Sequence, residues 1–228
     1  MILAIVEYYR RALMKGKSSM LSFAIQPLSF IFIVYVVSGG RFLSSAIAGA
    51  MVSFIVGVGI ADLSIELVGM KVRSKFYDIF SSLPGRGIEK TLGVSIGMSL
   101  PALPYVIVLA FFLTMSGGVE SLPRILFAVT ALWLWSVSLG TFLGARIKEP
   151  LTVMRLSTIL TTLLTVFPPV YYPLSVVPSS LREPLLLIPT VSASAVMSGK
   201  ATGLALLSLA LWLAVGFSAL SVVEWRER

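Results

Sequence analysis

The sequence predicts an all-α polytopic membrane protein with six transmembrane helices, and three observations predict it. Of 228 residues, 57% are hydrophobic and only 12% charged, about half the charge that covers a soluble domain. Six stretches free of Asp, Glu, Lys and Arg (18–40, 42–61, 91–119, 125–145, 156–181 and 201–223) each reach the ~20 apolar residues that a bilayer core demands. The remaining positive charge is lopsided. Six spans put both termini on one side, and that side collects 14 Lys and Arg against 4 on the other. The bias places both termini in the cytoplasm, in a cell (plasma) membrane. The net charge of +8 then faces the anionic inner leaflet and needs no nucleic-acid partner.

The missing residue types exclude much chemistry. With no Cys and no His, there are no disulfides, thiolate nucleophiles or imidazole bases, and the usual zinc, haem and iron–sulfur ligands are absent. The sequence therefore yields no catalytic residues and no metal site.

Taken in order, residues 1–17 open the single domain. Ile2, Val6, Tyr9 and Leu13 share one helical face, while Glu7, Arg11 and Lys15 repeat on another. That pattern predicts a helix in the cytoplasmic interface; a plain extension of the first span is the simpler alternative. Glu7 and the Arg10–Arg11 pair break the apolar core that a signal peptide needs. Spans one and two are placed at 18–40 and 42–66. Asp62 and Glu66 stand at i, i+4 at the cytoplasmic end of span two, with Arg73 seven residues further on the same face. We read these three as a relay from span two to the loop that follows, although acids there also reach headgroup water.

That cytoplasmic loop, 71–90, starts basic. Its Phe76, Ile79, Phe80 and Leu83 recur at i, i+3, i+4, i+7 before Pro84 and Gly85 stop them, which predicts a short amphipathic helix. Lipid contact and docking into a groove on another protein fit that spacing equally. Spans three and four are placed at 91–115 and 125–145. Gly93-x-x-x-Gly97 opens span three and Gly140-x-x-x-Gly144 closes span four, so the two helices are expected to approach closely at the cytoplasmic level. Phe111, Phe112, Trp133 and Trp135 are expected to face lipid or fill packing gaps.

Span five is placed at 152–172. Between Phe167 and Pro189, six prolines break an apolar run whose only charges are Arg182 and Glu183. Irregular backbone at membrane depth persists only where protein or a wet cavity covers it. Residues 173–199 are therefore predicted to be an outer re-entrant segment, a pair of short half-helices with Tyr171 and Tyr172 at the interface. The last span is 201–223.

Order and topology together resemble the membrane subunit of a type-2 ABC exporter. Phe76, Ile79, Phe80, Leu83, Pro84 and Arg86 match that family's loop pattern of bulky apolar residues, Leu-Pro and a basic residue. Lys75-Phe76-Tyr77-Asp78 replaces its frequent Gly-Thr and following Glu. Tyr172, Pro173, Leu174, Val177, Pro178, Leu181 and Pro189 match its aromatic-Pro-Leu, Val-Pro, Leu, Pro signature. The resemblance implies a cytoplasmic coupling helix carrying Phe76, Asp78, Ile79, Phe80, Leu83, Pro84 and Arg86. It implies an outer gate built by Tyr171, Tyr172, Pro173, Leu174, Val177, Pro178, Leu181 and Pro189. It also implies a homodimer or heterodimer of permease subunits. The chain has no G-x-x-x-x-G-K-[ST] motif, so ATP and Mg would bind a separate ABC ATPase subunit. A stand-alone carrier or channel is the alternative. An intramembrane enzyme built on Asp62 and Glu66 is a third reading with no supporting motif.

Overall fold

The computed structural model describes residues 2–14, 17–73, 82, 87–118, 121–200 and 202–221, with the backbone alone at 10, 12–14, 17–24, 26, 73 and 117. Phe76, Asp78, Ile79, Phe80, Leu83, Pro84, Arg86 and the Arg73 side chain lie outside what it describes. Among the described residues there are helices and no strands.

The chain opens with α1 (Ile2–Met14) and α2 (Lys17–Ser38). Gly39 and Gly40, at φ 57° and 82°, take left-handed backbone that reverses the chain within four residues. Next comes a long rod made of α3 (Leu43–Val56), a π turn (Gly57–Asp62) and α4 (Leu63–Arg73). Over Leu43–Val72 this rod is long and apolar enough to cross a membrane, and it is the most buried of the long helices. The same test is met by α7 (Leu122–Arg146) and α11 (Gly203–Ser221).

These three rods run in one direction. Leu67 of α4 packs on Gly144 near the end of α7, and Trp135 midway along α7 packs on Gly216 of α11. Parallel rods need return segments between them. One return is α5 (Gly87–Ser99) with α6 (Leu103–Gly117), bent by 70° at the break. Pro101 removes a backbone donor there and its ring clashes with the preceding turn. Residues 91–115, placed as span three, thus hold two helices with a break between them. The other return is α8 (Pro150–Thr165), which at about 1.5 Å per residue is about 24 Å long. It stops well short of the position 172 expected from the sequence, because Pro168 and Pro169 cannot continue it. The chain comes back through a 3₁₀ turn (Leu174–Val176), α9 (Ser179–Leu185) and α10 (Pro189–Met197).

The outside of the bundle is apolar and much of its interior is small or polar. On α11, Leu207, Leu211 and Phe217 are 64%, 67% and 57% exposed, whereas Ala205, Ser208 and Gly216 face inward. Phe111 and Phe112 are also outside, while Trp135 is buried and packs edge-on against Trp212. Water would penalise so continuous an apolar exterior. Helices packed in lipid gain from it, because small residues let backbones approach.

Candidate functional site

The rods define two ends. By the orientation that the charge bias predicts, the end with Ser45, Leu122 and Gly203 is called outer, and the end with α1, Lys71 and Arg146 inner.

At the outer end the proline-rich segment folds back into the bundle. Tyr171 is 5% exposed, and its hydroxyl donates to Ser53 Oγ at 2.6 Å. Its ring stacks on Phe30 at 4.8 Å. The backbone sits so close to α3 that a Cβ on Gly49 would lie 2.8 Å from Tyr171 Cα. Tyr171 is therefore inside the protein and not at the interface where the sequence placed both tyrosines. Gly49 supplies the space that draws it in. Tyr172 alone stays partly exposed.

Each loosened stretch of backbone finds a partner, as buried irregular chain requires. Ser194 Oγ donates to the Val170 carbonyl at 2.5 Å and Ser192 Oγ to that of Leu186. Arg182 donates from Nε to the Val177 carbonyl at 2.8 Å and from one terminal nitrogen to the Ser175 carbonyl at 2.9 Å. Trp212 Nε1 donates to the Leu187 carbonyl at 2.8 Å. All nine residues of α10, starting at Pro189, are buried, and it packs on α3, α7 and α11. By contrast α9 buries none of its residues. The expected pair of half-helices is thus one inserted plug and one surface arm. Val177, Pro178 and Leu181 belong to the arm's side; Tyr172, Pro173 and Leu174 line a cavity of about 360 Å³ above the plug. Ser45, Arg182, Ser194, Ser198, Lys200 and Thr202 line the same cavity. Of these, Ser45, Ser194, Ser198, Lys200 and Thr202 were not anticipated. The only sequence signal for them is the run of hydroxyls before Lys200.

At the inner end, α1 lies on α5 with Ile5 over Gly93 and Tyr9 over Gly97; a Cβ at Gly97 would meet Tyr9 Cβ at 2.7 Å. The Tyr9 hydroxyl donates to Glu66 Oε1 at 3.0 Å and also reaches Met70 Sδ at 3.4 Å. Burial first, and then the adjoining Glu66 carboxylate, hold this phenol protonated far above its usual range. Lys71 Nζ donates to the Gly144 and Ala145 carbonyls at 2.7 and 3.1 Å, filling acceptors left open at the end of α7.

The two Gly-x-x-x-Gly motifs do not meet each other as expected. Gly93 and Gly97 receive α1. Gly140 receives the rod's π turn instead, and a Cβ there would fall 2.0 Å from the Gly59 carbonyl oxygen. Each motif made a groove, but the nearest available ridge came from elsewhere in the chain. Of the relay residues, Glu66 joins the rod to α1. Asp62 stands half-buried in the π turn and forms no hydrogen bond or ion pair among the described residues. A second, apolar recess of about 330 Å³ lies under the α5–α6 bend, where Trp133 Nε1 donates to Ser99 Oγ at 2.8 Å. No family model and no curated protein matches the chain.

Proposed function

We propose that the chain is the membrane-spanning permease subunit of an ATP-driven exporter, forming its pathway as a dimer and driven by a separate ATP-binding subunit. The observation that carries this reading is the inserted helix Pro189–Met197, a plug held at one end of three parallel rods. Such a plug closes a route from one side while leaving the other end to a partner. The resemblance of 71–90 and 172–189 to type-2 ABC exporters supports the same reading, as does the absence of a phosphate-binding motif in the chain. In this reading α2, α5 with α6, and α8 are the three crossings that return between the rods. The link from Tyr9 to Glu66 would join α1 to the rod that feeds the coupling loop.

The test is co-expression with a separately encoded ABC ATPase. The two chains should purify together, the permease alone should hydrolyse no ATP, and Phe80→Asp should abolish ATP-driven efflux in vesicles. Full coupled transport by Phe80→Asp would remove the coupling assignment. The half-buried Asp62, without a partner among the described residues, favours the second reading, a stand-alone carrier, because intramembrane carboxylates mark ion pathways. Efflux driven by an ion gradient without any ATPase, and lost in Asp62→Asn, would establish it.

A further inference from the structure

We infer that the outer cavity is a binding site for a phosphate ester carried on an amphiphile, held by Lys200 and the hydroxyls around it. The inference uses the outer end alone and stands independently of the ATPase reading. Position comes first. The cavity opens where the rods starting at Leu43 and Gly203 begin, which in a bilayer is the level of headgroups. Its walls are mainly apolar, with Leu174, Leu186, Val191 and Leu204 among them, and these suit the upper part of a hydrocarbon chain.

The polar side of the cavity is built to hold an anion. Gly199 at φ 77° turns the chain out of α10, and the Lys200 N–H closes the helix onto the Ala195 carbonyl at 3.0 Å. That cap fixes the lysine backbone at the rim. Its ammonium donates to Ser45 Oγ at 3.3 Å, its one bond among the described residues, which leaves two of its three hydrogens for a ligand. Thr202 caps α11 by accepting the Ala205 N–H at 3.3 Å, so the positive end of that helix dipole adjoins the lysine. Arg182 uses Nε and one terminal nitrogen on carbonyls, and its other terminal nitrogen has no partner among the described residues. Against these stands one carboxylate among the described residues, Glu183, which lines the same cavity. Two cations, one anion and several hydroxyls favour a single phosphate and oppose a multiply charged group.

The purified full-length chain in detergent is titrated with phosphatidylglycerol, with diacylglycerol of the same chains, and with glycerol 3-phosphate, binding being read by native mass spectrometry. Phosphatidylglycerol should bind and diacylglycerol should not. Lys200→Gln should weaken binding about tenfold, the effect of one charge-assisted hydrogen bond, and Lys200→Arg should restore most of it. Glu183→Gln should tighten binding and reduce discrimination, a gain that no folding defect would produce. Raised salt should weaken binding by wild type. Saturation by glycerol 3-phosphate alone identifies a soluble phosphate ester as the source; retention of phosphatidylglycerol against an excess of it identifies a lipid. Equal binding of diacylglycerol, or unchanged affinity in Lys200→Gln, overturns the assignment.

Discussion

The two ends of the bundle are held together by opposite means. At the outer end, irregular backbone is fastened by side chains donating to carbonyls: Ser192 to Leu186, Ser194 to Val170, Arg182 to Ser175 and Val177, Trp212 to Leu187. At the inner end the helices are regular, and the contact between α1 and α5 depends on missing side chains at Gly93 and Gly97. The outer plug sits against backbone, whereas α1 sits against a groove and is latched by the phenol–carboxylate bond from Tyr9 to Glu66. Proline dictates the difference. A segment that cannot be helical must satisfy its backbone with side chains, while a helix arrives satisfied and needs only shape. The outer end should therefore be rigid and intolerant of change, and α1 separable.

The contrast is tested most severely by adding a side chain at each contact. Gly49→Val would drive its Cβ into the main chain of Tyr171, 2.8 Å away. Backbone cannot yield as a side chain does, so the loss should reach about 3 kcal/mol or more, at the top of the overpacking range. Gly97→Val meets Tyr9 first at its Cβ, 2.7 Å away, so α1 must lift as a body, and the change should cost about 1 kcal/mol because a separable helix can move. Thermal unfolding in detergent should rank the two in that order. Trypsin cleavage after the exposed Arg11 should accelerate in Gly97→Val and not in Gly49→Val. Faster cleavage in both would mean that the ends are coupled and the contrast false.

How much of this was readable from the chain follows from the range of each interaction. The prolines from 168 to 189 announce non-helical backbone locally, and charge-free windows announce long apolar helices, so both were visible. Which tyrosine turns inward was not, because Gly49 and Ser53 decide it from more than a hundred residues away. The glycine motifs showed grooves, but no sequence pattern names the ridge that fills one; α1 filled one and the π turn another. The π turn left no signal beyond two glycines. Lys200 looked like an ordinary outer charge until the cap at Gly199 set it over a cavity.

The two buried phenols sharpen the comparison at a smaller scale. Tyr9→Phe removes the bond to Glu66 and should cost about 1.5 kcal/mol, since one partner is a carboxyl group. Tyr171→Phe loses a hydroxyl–hydroxyl bond to Ser53 but keeps its stack on Phe30, so about 1 kcal/mol is expected. Tyr9→Phe should also change the response to alkali. The folded state raises the Tyr9 pKa above the ordinary 10.0, so the stability linked to its protonated form is complete below pH 10.0. It is lost as pH rises further, because the unfolded chain releases the proton first. Unfolding midpoints should fall less steeply above pH 10 in Tyr9→Phe than in wild type; parallel curves would show that the phenol is not held as described.

The mildest test compares two cations that each bond two carbonyls. Arg182 braces a single 3₁₀ turn that no longer helix supports, bonding the carbonyls of Val177 and Ser175. Lys71 tops a helix already closed by the Ile147 N–H on the Leu143 carbonyl at 2.9 Å. If irregular backbone depends on such braces and regular backbone does not, Arg182→Gln should cost about 1 kcal/mol or more. Lys71→Gln should cost about 0.5 kcal/mol, the usual worth of a cation at a helix end. Salt should shrink the Lys71 effect further, since one of its carbonyl contacts is exposed. The decisive measurement is the pair of unfolding midpoints at low and high salt. A Lys71→Gln loss equal to that of Arg182→Gln would show the inner end to be as dependent on side-chain bracing as the plug. In that case α4 and α7 would be locked at their shared end, and motion there would have to carry both helices together.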